Sequence, residues 1–171
     1  MMPIIVETER LQIRAFTPDD AGFMLRLLNE PSFIENIGDR GVRTEEEATA
    51  YLASGPIASY AAHGHGLCRV ELRDTGQPIG MCGLLRREQF AGPDVGYAFL
   101  PEFWGRGFAL EAVAAMIEDG RRSLGLTRII AIVAPHNTAS SRLLEKLGFK
   151  FEQTTQFQPD GSEIQVYASA P

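Results

Sequence analysis

An α/β (α+β) domain built on a mixed, mostly antiparallel sheet flanked by helices is the fold this sequence predicts, and three observations predict it. Several short segments alternate apolar and polar residues with a period of two, the mark of a half-buried strand. Two other segments open on helix-capping signals and continue with apolar residues at helical spacing. A third kind, RIIAIVA at residues 128–134, is an unbroken β-branched run typical of a strand buried on both faces. In order they read β α α β β β α β α β β, with no repeat, linker or low-complexity stretch, so residues 1–171 are expected to form one domain.

Leu11, Ile13 and Ala15 alternate with Gln12 and Arg14 and form the first strand, which ends at Phe16. Thr17, Pro18 and Asp20 then supply an N-cap, a first-turn proline and an acid at the third helical position. Phe23, Met24, Leu27 and Leu28 carry that helix to about Leu28. After the irregular stretch NEPSFIENIGDRGVR, Thr44 and Glu47 repeat the capping signal, and the helix they start is expected to break or kink at Gly55 and Pro56. From Gly66, LCRVELRD and IGMCGLLRR alternate on either side of DTGQP and predict an antiparallel hairpin. DVGYAFL is a third strand. Leu110, Val113, Ala114 and Ile117 then fall on one helical face, and Arg121, Arg122 and Gly125 close that helix. Beyond RIIAIVA, Asn137 caps a helix ending at Gly148, and FKFEQTTQF with EIQVYAS frames the turn QPDG as a last hairpin.

At 171 residues the chain can bury roughly 70% of the surface it exposes unfolded. A formal charge of -6 argues against a nucleic-acid surface. No run reaches the ~18 apolar residues of a spanning helix, and MMPIIVETER does not resemble a signal peptide, so a cytoplasmic protein without membrane or nucleic-acid partners is expected. Cys68 and Cys82 lack metal or redox spacing and are read as buried thiols. His63 and His65, in HGHG, have no supporting cysteine or acidic cluster and are read as a polar turn; no metal is expected.

The stretch FLPEFWGRGFALEA places Gly105, Arg106 and Gly107 where a strand hands over to a helix. Unpaired N–H groups from Trp104 to Ala109, the helix dipole and the Arg106 charge would together hold an anion, with phosphate or pyrophosphate the natural ligand. The two glycines would equally serve a tight turn. A P-loop is excluded because no GK[ST] occurs, and a dinucleotide fingerprint is weak because the next strand ends Val133, Ala134, Pro135 without an acid.

DVGYAFLPEFWGRGFALEA, followed by HNTASSRLLEKLGF, resembles the GNAT superfamily of N-acetyltransferases, and within it the RimJ/RimL-like branch of ribosomal-protein N-terminal acetyltransferases. The element order agrees over essentially the whole chain. The family pattern Q/R-x-x-G-x-G/A, which holds the pyrophosphate of acetyl-CoA, is matched by Trp104, Gly105, Arg106, Gly107, Phe108 and Ala109, with tryptophan replacing the usual first residue.

The resemblance implies a GNAT fold and an acetyl-CoA-dependent N-acetyltransferase in which a primary amine attacks the thioester directly, without a metal. The acceptor is expected to be a protein or peptide α-amine or, alternatively, a small amine such as an antibiotic, polyamine or amino acid; a CoA-binding module without turnover is the third reading. A monomer or homodimer is expected. Ala98, Phe99 and Leu100 would offer backbone groups to the pantetheine arm, and one N–H there could steady the thioester oxygen. Asn137 would bond the arm or simply cap its helix. Arg142 and Lys146 would approach the nucleotide phosphates or face solvent. Many relatives carry a tyrosine acid where this chain has Leu144. Ser140 matches the serine that the RimL-like branch uses to protonate the thiolate, or is a first-turn helix serine. Asp94 stands where many members place a glutamate base, or is a strand-edge aspartate; Glu102 and Glu88 are poorer candidates. His136 is read as a loop residue, and Phe33, Ile34 and the segment through Arg43 as the acceptor wall.

Overall fold

The computed structural model describes residues 4–87, 89–90, 92–156 and 161–169. Its strands are β1 (Ile4–Glu7), β2 (Leu11–Ala15), β3 (Leu67–Leu72), β4 (Pro78–Arg86), β5 (Pro93–Phe99), β6 (Ile130–Val133), β7 (Lys150–Gln156) and β8 (Glu163–Ala168). Its helices are α1 (Ala21–Leu28), α2 (Pro31–Asn36), α3 (Glu45–Leu52), α4 (Ala58–His63), α5 (Phe108–Leu124) and α6 (Thr138–Lys146). The strands make one sheet in the order β1-β2-β3-β4-β5-β6-β8-β7. Every neighbouring pair is antiparallel except β5 and β6, so the predicted mixed, mostly antiparallel sheet is what forms.

Local chemistry sets most element ends as predicted. Asp19 N–H donates to Thr17 Oγ1, and Thr17 N–H to the Asp20 carboxylate at 2.9 Å, a reciprocal cap on the 3₁₀ turn that leads into α1. Glu47 N–H donates to Thr44 Oγ1 at 3.1 Å and starts α3. Cys68 and Cys82 are buried free thiols opposite one another on β3 and β4, and burial pushes Cys68 up to about 12.

Three elements depart from the reading. β1 has too few residues to show a period; its pairing with β2 supplies what the pattern lacks. α2 lies inside the stretch expected to be irregular, with Pro31 in its first turn. The α-helix is interrupted at Gly55 and Pro56, as expected, but the interruption is a π-helical turn, Ala53–Ile57, that carries the chain into the unexpected α4. A wider turn accommodates a residue with no N–H to donate. The last hairpin pairs β7 with β8 as expected, while residues 158–160 of its turn lie outside the described residues.

Strand register assigns each face of the sheet a different neighbour. A methyl group on Gly120 of α5 would meet Leu84 Cδ1 at 2.6 Å, so the face carrying Leu84 is the α5 face. Side chains directly opposite in an antiparallel pair share a face, and they alternate along each strand. The pairs Leu84↔Val95, Cys82↔Tyr97 and Gly80↔Phe99 therefore place Val95, Tyr97 and Phe99 toward α5. Asp94, Gly96 and Ala98 point the other way, with Met81, Arg69 and Arg14. On that second face Asp20, just before α1, is held by Arg14 at 2.9 Å and Arg69 at 2.8 Å, and Arg69 also reaches Glu71 at 2.8 Å. This charge cluster docks the start of α1 onto the sheet.

Candidate active site

A split in the sheet creates the site. β5 keeps seven registered pairs with β4 but, among the described residues, one with β6, Asp94↔Ile130. Leu100 N–H donates to Ile79 O at 2.9 Å, which makes Ile79 and Leu100 a hydrogen-bonded pair of the β4–β5 ladder. Such pairs alternate, so Ala98 also turns its backbone to β4, whereas Tyr97 and Phe99 turn theirs to the split. Here the prediction is corrected. Of Ala98, Phe99 and Leu100, only Phe99 faces the open edge with its backbone, and Leu100 O is itself taken by Phe103 N–H at 3.0 Å. The period of two, counted from the ladder, selects Tyr97 and Phe99. Phe99 O accepts from the Trp104 indole N–H at 2.9 Å, which leaves its N–H turned toward the gap.

The split opens into a cleft of ≈ 1310 Å³. At one end stands the start of α5. Gly105 and Gly107 have φ of +76° and +80°, a region that side chains other than glycine rarely adopt. Gly107 is the N-cap of α5 and makes no side-chain capping bond. Trp104, Gly105, Gly107, Phe108 and Ala109 line the cleft there, and Trp104 is 53% exposed. Arg106 does not line it; its guanidinium lies over the Phe103 ring, 5.6 Å from the centroid.

The cation braced against this loop is Arg10, which sequence reasoning missed. Its Nη1 donates to Arg106 O at 3.0 Å, its Nε to Glu111 Oε1 at 2.7 Å, and its guanidinium sits 4.3 Å over the Phe108 ring. No local pattern could reveal a partner about a hundred residues away in the chain.

On the opposite wall Asn137 caps α6, its Oδ1 accepting from Ser140 N–H at 3.3 Å, and both residues line the cleft with His136, Arg142 and Lys146. The Ser140 hydroxyl is hydrogen-bonded to the Tyr97 hydroxyl across the split. Burial pushes the Tyr97 phenol up to about 12, although the hydrogen bond with Ser140 opposes this, so it stays protonated at neutral pH. Tyr97 was also missed, because an aromatic residue in an alternating strand reads as core.

Asp94 reaches the cleft from the second face, 1% exposed, with Arg87 Nε 3.1 Å from its Oδ1. Burial raises its pKa above the ordinary 3.8, against the charge and hydrogen bond of Arg87. Phe33, Ile34 and Tyr51 also line the cleft. Arg43 does not line it and binds Asp39 at 2.6 Å. Glu102 pairs with Arg26 at 2.7 Å and does not line the cleft, and Glu88 lies outside the described residues. His65 Nδ1 is 2.8 Å from Leu84 O. Among the described residues, no group of three His, Cys, Asp or Glu is placed to hold a metal, and no helix is long and apolar enough to cross a membrane.

A sheet split beside one parallel strand pair, with an open helix start at its mouth, offers a free strand edge to an extended ligand and unpaired N–H groups to an anion at its end. The profile of the acetyltransferase (GNAT) domain matches residues 10–150, and the chain belongs to this family of N-acetyltransferases. It is 32% identical over 154 residues to YoaA of Bacillus subtilis (strain 168), named as an uncharacterised N-acetyltransferase, with 89% of this chain and 85% of that protein aligned. Two solved structures share the fold. RimL, named as a ribosomal L7/L12 α-N-protein acetyltransferase and solved with coenzyme A, superposes with a TM-score of 0.84 at 16% identity over 98% of both chains. The microcin C7 self-immunity acetyltransferase MccE, solved with acetyl-CoA and AMP, gives 0.81 at 14% identity over 96% of this chain and 94% of that one.

Proposed function

We propose that this chain, as one domain over residues 1–171, transfers the acetyl group of acetyl-CoA to the α-amine of a protein or peptide, in the cytoplasm. One observation carries the reading: β5 leaves β6 after a single pair and turns the backbone of Tyr97 and Phe99 into the gap. An extended pantetheine arm fits there as an added strand. Its pyrophosphate lies at the uncapped start of α5, against Gly105, Gly107, Phe108 and Ala109, with Arg142 and Lys146 on the facing helix. Arg106 stays behind this loop, its carbonyl held by Arg10 and its guanidinium over Phe103, and Asn137 lies beside the arm.

The amine approaches from the second face, past Phe33 and Ile34. Asp94 on that face acts as the base through a water, which suits an amine of pKa about 8 that must lose its proton. The nitrogen attacks the thioester carbon, a backbone N–H at the split steadies the developing oxyanion, and the C–S bond breaks with its electron pair on sulfur. Ser140, on the α5 side of the split, donates to that sulfur. A protein terminus is preferred because residues 32–40 add a long continuous stretch to the cleft lining, as an extended chain requires, and because RimL is named for such an acceptor.

The deciding experiment follows thiol release from acetyl-CoA against a panel of N-terminal peptides, polyamines, amino acids and aminoglycosides. Peptides are expected to turn over fastest. Turnover of small amines alone would replace the acceptor class, and acetyl-CoA binding with no release from any acceptor would leave a binding module.

A further inference from the structure

The two hydroxyls that meet across the split ask for an explanation that core packing does not give. Ser140 is in the first turn of α6, where a serine hydroxyl commonly bonds to its own helix backbone. Here it is turned to Tyr97 instead, and the hydrogen bond spans the gap where β5 and β6 no longer pair. Both residues line the cleft.

We propose that Tyr97 is a positioning residue for departure of the thiolate: its phenol O–H donates to Ser140 Oγ and thereby turns the Ser140 proton into the cleft, toward sulfur. This rests on the acetyl-transfer reading above. Of the two possible directions of this hydrogen bond, one uses the Ser140 hydrogen on the phenol and leaves nothing for sulfur. The other leaves it free, and a phenol is a stronger donor than an aliphatic alcohol. The β4 ladder fixes Tyr97, through the Cys82↔Tyr97 pair, so the orientation is built in before any substrate arrives.

The role is hydrogen bonding rather than complete proton transfer. A phenol near 12 holds its proton more tightly than a thiol of pKa about 8.5 would, so the lasting proton on sulfur comes from elsewhere. The sequence balances: the C–N bond forms as C–S breaks, the amine proton leaves through Asp94 and water, and the thiolate, held by Ser140, takes a proton from solvent. The absent tyrosine at Leu144 is thus answered by one on a different element, which reaches sulfur only through a serine.

A double-mutant cycle tests this, with Tyr97→Phe keeping the ring and removing only the hydroxyl. Each variant is measured for kcat, acetyl-CoA affinity and melting temperature. Tyr97→Phe is expected to lower kcat about tenfold and Ser140→Ala about a hundredfold, with acetyl-CoA Kd within about twofold for each. The double variant is expected to match Ser140→Ala, because Tyr97 acts through the serine. A Tyr97→Phe kcat within about twofold of wild type, or losses that multiply in the double variant, would overturn the proposal while the acetyltransferase stands. A wild-type protein with no turnover on any amine would overturn both. Loss of melting temperature with unchanged kcat would reduce Tyr97 to a strut.

Discussion

Asp94 shows how a residue named from sequence acquires its chemistry only from the fold. The sequence places an acid at the start of a strand; register places it on the face away from α5, and burial raises its pKa. In its proposed role as base Asp94 works when ionised, so activity should fall as pH drops through a midpoint above 3.8. Asp94→Asn should flatten that acid limb in a kcat/KM profile, and an unchanged limb would assign it to another group. The same shift means that Asp94 binds more protons folded than unfolded in the window between 3.8 and its raised value, so it withdraws stability as pH rises through it. Tyr97 and Arg10 were illegible for opposite reasons. Tyr97 sits in a pattern with a simpler explanation, and Arg10 acts through Arg106 and Glu111, which the fold alone brings near.

Among the elements, those with strong local chemistry were read correctly. Thr17 with Asp20 and Thr44 with Glu47 set helix starts through bonds spanning three residues, and Gly107 sets the start of α5 through its backbone angle. The short β1 and α2 exist because neighbours complete them, and the π turn at Pro56 depends on flanking helices that hold it. The cluster that docks α1 makes a prediction at this scale. Burial pushes the Asp20 carboxyl up, but hydrogen bonds from Arg14 and Thr17 and the charges of Arg14 and Arg69 outweigh it, and the pKa lies below 3.8. Its stabilisation is therefore present above 3.8 and lost as pH falls through the folded value. Removing one partner of a buried charge cluster costs about 3 kcal/mol. Asp20→Ala should lower stability by about that much in denaturant melts at pH 7, and the difference from wild type should shrink on acidification.

At the scale of the whole molecule, the mixed sheet was legible in the sequence because it follows from the period of the apolar residues, and the glycines at the start of α5 marked the stretch proposed above for the pyrophosphate. Which side of the sheet Asp94 and Tyr97 each take is settled only by paired strands: the proposed base and the positioning tyrosine are three residues apart, odd spacing sends them to opposite faces, and the β4 register says which face is which. The split between β5 and β6 makes those two faces communicate at a single place. On the function proposed above, acetyl-CoA lies in the split and the amine comes from the second face, and two reactants with separate entrances do not have to take turns. Initial rates measured with both substrates varied should therefore give double-reciprocal lines that intersect, the signature of a ternary complex, and isotope exchange between acetyl-CoA and labelled CoA should stay silent until an amine is added. Parallel lines would instead require an acetylated protein intermediate and a nucleophile of its own.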